Sequence, residues 1–164
     1  MSKAVMISIQ PHWCEMIANG EKTIEIRKTR LKLETPFKCY IYCTKPRFEH
    51  EDFFALVGKQ GFYGGGKVIG EFVCDKVYEL APLNHAPDDA EQQACMSREE
   101  IVQYLKGRGW GWHISDLKIY DKPVDITHFR NCNGCEYMGD CDTYCWKPMQ
   151  RPPQSWCYVE EYAR

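Results

Sequence analysis

The hydrophobic pattern changes period twice before residue 30. Residues 4–9, Ala-Val-Met-Ile-Ser-Ile, form a nearly unbroken apolar run and predict a short strand. Pro11 then opens a helix over residues 12–19, with proline in a favoured first-turn position and Gly20 just past the end as a cap. Residues 23–27, Thr-Ile-Glu-Ile-Arg, return to strict alternation. Ile24 and Ile26 point to a core, and Thr23, Glu25 and Arg27 share the other face.

Further along, residues 37–43 are aromatic and β-branched and predict a strand, and residues 50–57 a short helix. Residues 61–66 contain four glycines and read as a loop. A long strand follows over 67–78, with Val68, Phe72 and Val77 as core candidates. Ser97 followed by Glu100 is a capping box that starts a helix running to Leu105, and Gly107, Gly109 and Gly111 break it. Residues 112–120 and 155–160 supply the last strands. Strands outnumber helices and the connections vary, so the fold class is α+β, built on a mixed or antiparallel barrel. The 164 residues suit one domain spanning 1–164.

Composition adds little to this, but charge placement does. Net charge is −2, so no global field draws the chain to nucleic acid. Locally, residues 22–47 hold eight cations against Glu25 and Glu34, and residues 71–100 hold eight acids against Lys76 and Arg98. The first stretch is a candidate phosphate-binding patch, or else a solvated face. Neither a secretory leader nor an apolar stretch of membrane-spanning length is visible, so a cytoplasmic, reducing location is expected.

The chemistry concentrates in Gly20-Glu21-Lys22-Thr23-Ile24-Glu25-Ile26-Arg27. This segment delivers Lys22, Glu25 and Arg27 where a helix ends and a strand begins. Arg27 can make a bidentate fork to phosphate or carboxylate, Lys22 is a compact point charge, and Glu25 can accept from a base amino group or hold a water. An exposed strand edge with an ordinary salt bridge would show the same residues.

Gly20-x-Lys22-x-x-Glu25-x-Arg27 resembles the G-x-K-x-x-E-x-R signature of the ASCH domain family, and it follows a short strand and a helix opened by Ser8-Ile9-Gln10-Pro11, as in that family. The likeness covers residues 4–122, and 155–160 closes the same barrel. It implies a PUA-like mixed β-barrel with a few flanking helices, and a cleft lined by Lys22, Thr23, Glu25 and Arg27. The implied ligand is RNA or a modified nucleoside or nucleotide. Trp110, Trp112, His113 and Tyr63 are candidates to stack on a base. Trp112 reads better as core, and Trp110, between glycines, as exposed.

Some small members of that family are amidohydrolases acting on acetylated cytidine, through a lysine, a threonine and a glutamate. Lys22 matches the lysine. The threonine position falls on Glu25, and Glu91 is the nearest carboxylate to the third position. Lys22 and Glu25 are therefore the catalytic candidates under the enzymatic alternative. Cys14 and His12 are two residues apart at a helix start and do not face each other.

Residues 128–148 form a separate chemical unit. Cys132, Cys135, Cys141 and Cys145 place four thiols in a short span, with Asn133-Gly134 as a tight turn and His128 as a spare ligand. Such spacing in a reducing compartment suits one structural Zn(2+), and an iron–sulfur cluster is the lesser alternative. The segment has few large apolar residues, so its folding is expected to require metal. It reads as a zinc-knuckle insertion before the last strand, either structural, part of an RNA surface, or a docking surface in a protein-interaction adaptor. Cys14, Cys39, Cys43, Cys74, Cys95 and Cys157 show no such grouping and read as small apolar residues.

Overall fold

A computed structural model describes residues 3–45, 64–80, 86–131 and 146–162. In chain order the elements are β1 (Lys3–Ile9), α1 (Pro11–Ala18), β2 (Ile24–Arg27), β3 (Phe37–Cys43), β4 (Lys67–Glu79), α2 (Ala90–Ala94), α3 (Arg98–Leu105), β5 (Trp110–Val124), β6 (Arg130–Asn131), β7 (Lys147–Pro148) and β8 (Trp156–Glu160). The eight strands form one mixed sheet in the order β2-β5-β4-β3-β1-β8-β6-β7. Among the described residues only β1 and β3 pair in parallel, with Val5 opposite Cys39 and Ile9 opposite Cys43. No helix among the described residues is long and apolar enough to cross a membrane.

The apolar runs of β1 and β3 follow from their central place. One face, with Val5, Ile7, Cys39 and Ile41, joins Phe72, Cys74 and Trp112 in the main core. The other, with Ala4, Met6, Tyr40 and Tyr42, packs against Phe129, Met149 and Val159. Strands buried on both faces lose the alternation expected of half-buried ones. Helices α2 and α3 cover β2, where Ile24 and Ile26 meet Ala94, Ile101 and Leu105.

The local signals at the helix ends are realised. Ser97 Oγ accepts from the Glu100 amide at 3.1 Å and Glu100 Oε2 accepts from the Ser97 amide at 2.7 Å, which completes the capping box. Gly20 follows the Asn19 cap of α1 with φ +85°, and its amide donates to the Ile17 carbonyl. The α2 helix was not expected from the sequence, being only five residues long. The expected helix over 50–57, most of the 61–66 loop and Tyr63 lie outside the described residues.

Strand β4 crosses β5 with several shifts of register, one of them between Val68 and Gly70. At Gly70 the approach is so close that a Cβ would sit 2.5 Å from the Lys118 carbonyl oxygen, a backbone atom that cannot swing aside. Gly70→Ala should therefore lower stability by about 1–3 kcal/mol, the scale of overpacking, read as a lower urea midpoint with an unchanged slope.

Candidate functional site

The site forms where α1 hands over to β2. After Gly20 turns the chain, the Lys22 amide donates to the Met16 carbonyl at 3.0 Å, and this fixes where the lysine enters. Its side chain is 2 % exposed. Nζ donates to the Ala94 carbonyl at the end of α2 at 2.7 Å, lies 3.5 Å from Glu25 Oε2 and sits over the Trp13 ring at 4.7 Å. A helix-end carbonyl, a carboxylate and an aromatic face all favour a cation.

Glu25 stands between two cations. Its Oε1 is 3.0 Å from Arg27 Nη2. Arg27 Nη2 also donates to the Ser8 carbonyl in β1 at 2.7 Å, and Nη1 donates to Ser155 Oγ at 3.1 Å. Arg27 thus reaches from β2, one edge of the sheet order, to β1 and the approach to β8. No backbone ladder joins β2 to those strands among the described residues, so the sheet curls far enough for side chains to bridge the gap. Glu25 Oε2 has the 3.5 Å ion pair with Lys22 but no hydrogen bond, and buried Arg27 Nε has no hydrogen-bond partner.

Lys22, Glu25 and Arg27 line one cleft of about 800 Å³. One wall is the start of α1, with Pro11, His12 and Trp13, whose last two rings lie 4.8 Å apart. Tyr104 of α3 forms the facing wall. It is 40 % exposed and carries Lys28 Nζ over its ring at 4.9 Å. Thr44, Lys45 and Gln154 complete the rim. Of the charged lining, Lys22, Arg27 and Lys45 outnumber Glu25, so the cleft favours an anion.

Not every sequence candidate belongs here. Alternation placed Glu25 and Arg27 on one face, and both line the cleft, but they are more than nine-tenths buried there and not on an exposed strand edge. Thr23 turns away, its hydroxyl donating to Gln93 Oε1 at 3.2 Å. Trp110 is not in a loop. Pairing with Arg27 extends β5 back to it, and its half-buried ring packs against the main core under Arg108, outside the cleft lining. Trp112 is fully buried between Phe37 and Trp156, and His113 pairs with Asp75 at 2.6 Å, away from the cleft. Glu91 is exposed on α2 and does not line the cleft either.

Lys45 comes from the basic stretch singled out in the sequence, whereas His12, Trp13, Tyr104 and Gln154 were missed as cleft residues. An aromatic pair directly after Pro11 was the one local clue to the α1 wall. Tyr104 and Gln154 arrive through long-range packing and carry no local signal. Cys14 lies under the α1 wall, fully buried, with its thiol donating to the Ile9 carbonyl. Burial, then the Cys43 thiol beside it, push its pKa well above the ordinary range, which disfavours the reactive thiolate.

Cys132, Cys135, Cys141 and Cys145 lie outside the described residues. Their flanks do not: β6 and β7 pair, Arg130 opposite Pro148 and Asn131 opposite Lys147, so residues 132–145 leave and return on adjacent strands. Among the described residues no group of His, Cys, Asp and Glu could hold a metal ion.

The buried ion cluster should govern stability asymmetrically. Glu25→Ala leaves two buried cations uncompensated and should cost about 3–5 kcal/mol, whereas Tyr104→Ala on the exposed wall should stay within about 0.5–1 kcal/mol of the parent. Urea unfolding of the two variants checks the contrast.

No protein-family model matches the chain, and no curated protein sequence does. Solved structures do. The chain is similar to the crystal structure of ASCH from Zymomonas mobilis at 16 % identity and TM-score 0.61, covering 96 % of this chain and 88 % of that one. It is also similar to a Tyr-to-Phe variant of that protein at 17 % identity and TM-score 0.60, over 98 % and 93 % of the two chains. A Ser-to-Ala variant matches at 16 % identity and TM-score 0.60, over 97 % and 89 %. With its mixed eight-stranded sheet and flanking helices, the chain has the ASCH-domain fold.

Proposed function

We propose that the cleft binds RNA or a modified nucleotide. The observation that carries this reading is a cleft whose lining charges are cations apart from Glu25 and whose walls carry aromatic rings, with Glu25 Oε2 buried, ion-paired to Lys22 at 3.5 Å and making no hydrogen bond. A buried acceptor left unmade costs on the order of 1–3 kcal/mol. A ligand that donates an N–H there, as a base amino group does, recovers that cost. Trp13 and Tyr104 offer faces for a base, and Lys45 with the Arg27 guanidinium offers charge to a phosphate. The cleft volume of about 800 Å³ is ample for one nucleotide.

The enzymatic alternative, hydrolysis of an acylated nucleoside such as acetylated cytidine by Lys22 and Glu25, has less support. General-base action needs a free amine beside the substrate. Here the Lys22 ammonium is engaged by the Ala94 carbonyl, Glu25 and the Trp13 ring, and Glu25 is engaged by Arg27. Incubation with N4-acetylcytidine should show binding without acetate release. Release that Lys22→Met abolishes in a folded variant would establish the enzyme instead.

Binding should respond as phosphate and base contacts require. Arg27→Ala should weaken a ribonucleotide by about 1–3 kcal/mol, the scale of a charge-assisted contact. Because Arg27 also ties strands together, Tyr104→Ala is the cleaner variant, and it should lose about 1–3 kcal/mol of stacking with the fold intact. Calorimetric titration of ribonucleoside monophosphates measures both. Affinity should fall with salt, and indifference to salt would point to a neutral ligand or a protein partner.

For the segment between β6 and β7 we propose one structural zinc held by Cys132, Cys135, Cys141 and Cys145. The paired stem supports this, since it returns the chain close to where it left and so favours a compact knuckle. A closed four-thiolate site leaves no open coordination position and no catalysis at the metal. Elemental analysis should find zinc near one per chain, and chelation should loosen residues 128–148 while leaving the sheet folded. Iron with visible absorbance would replace zinc by a cluster, and native thiols that all titrate freely would exclude the site. A docking role for this segment in an adaptor would require a partner whose binding is lost on chelation.

A further inference from the structure

A second cavity, of about 470 Å³, lies beside the cleft and shares Gln154 with it. The Trp156 ring, Pro152 and Pro153 give it apolar surface, and Asn131 and exposed Arg151 give it polar groups. The strip between the two cavities is pinned. Ser8 Oγ donates to the Pro153 carbonyl at 2.7 Å, the Ser8 amide donates to the Ser155 carbonyl at 2.9 Å, and Arg27 Nη1 donates to Ser155 Oγ. Trp156 is itself fixed by its Nε1–H donating to Thr29 Oγ1 at 2.9 Å. A rigid polar ridge therefore separates two rooms, each with an aromatic wall and a cation, and one amide side chain borders both.

We infer that these rooms are successive subsites for a single strand of RNA, so that the ligand is an oligonucleotide and not a lone mononucleotide. The inference rests on the reading of the cleft as a nucleotide site. One base enters the cleft against Trp13 and Tyr104. The backbone crosses the ridge at Gln154, and the neighbouring nucleotide occupies the second room, with Trp156 and the prolines against its base and Arg151 at its phosphate. Alternating aromatic and cationic groups along a groove is the arrangement that single strands require, because each nucleotide repeats one flat apolar face and one charge. Arg151 joins no ion pair among the described residues, so its charge is available to a phosphate.

The test is titration, at several salt concentrations, with the four ribonucleoside 5′-monophosphates and with the homotrinucleotide of whichever base binds best. The trinucleotide should bind about tenfold or more tighter, the scale of one added stacked base. Its dependence of log affinity on log salt should be steeper by about 0.7 for each added phosphate contact. Arg151→Ala should remove one such increment of slope and most of the trinucleotide advantage, Arg151→Glu should remove more, and Arg151→Lys should keep the slope. None of the three should alter monophosphate affinity, because Arg151 lies outside the cleft. A trinucleotide no tighter than its monophosphate overturns the inference and leaves the cleft reading standing, as does an advantage that survives Arg151→Glu. If neither monophosphate nor trinucleotide binds the parent protein, the cleft reading falls and the inference with it.

Discussion

The structure turns on one buried guanidinium. Arg27 lies at the edge of the strand order, yet its side chain reaches the Ser8 carbonyl and the Ser155 hydroxyl on the far side of the curl. It can be there only because Glu25 neutralises it at 3.0 Å, and Glu25 is in turn shared with Lys22. An unpaired charge at such depth would be prohibitive, so the three residues stand or fall together. Through Ala94, Lys22 also ties α2 to the cluster, and through Met16 its amide ties the end of α1. The ion cluster therefore fixes α2 and the end of α1 as well as the floor of the cleft.

That economy has a consequence for ligand binding. A cation that fastens strands is already oriented, so on the proposed reading little freedom would be lost when a phosphate binds it. The same fastening limits what the cluster can do chemically. Lys22 and Arg27 have committed partners, while Glu25 Oε2 and Arg27 Nε make no hydrogen bond. Charges held in place by one another in this way support the proposed binding role over proton transfer, which needs a group able to change state cheaply.

Much of this was legible in the sequence, and what was not has a physical reason. The capping box at Ser97, the Gly20 turn and the long strand β4 are set by local chemistry, and all three appear where the residues put them. The G-x-K-x-x-E-x-R spacing brought Lys22, Glu25 and Arg27 to one place because alternation puts the latter two on one face and a helix cap fixes the first. Their burial was not legible. Alternation tells which residues share a face, and it does not tell whether a distant strand covers that face. Trp110 failed for a related reason: flanking glycines looked like a loop, but pairing with β2 overrode them. Tyr104 and Gln154 come to the cleft from α3 and from the turn before β8, and no period in the chain announces a meeting of that kind.

The burial of the ion cluster is itself an argument about function. Replacing a buried ion network with apolar residues of similar volume is often neutral or stabilising by about 1–4 kcal/mol. Stability alone therefore gives little reason to keep a lysine, a glutamate and an arginine in β2 and its approach, where Ile24 and Ile26 already pack well on the other face. Fold specificity gives some reason, since Arg27 selects which strands meet. Lys22 adds the tie to α2, but neither role explains why Glu25 Oε2 makes no hydrogen bond. On the proposed reading, a ligand donating to Glu25 Oε2 would supply the hydrogen bond that the ion pair with Lys22 does not. Local choices that conflict with stability are expected where a site is built, and Glu25, whose buried Oε2 lacks a hydrogen bond, lines the cleft.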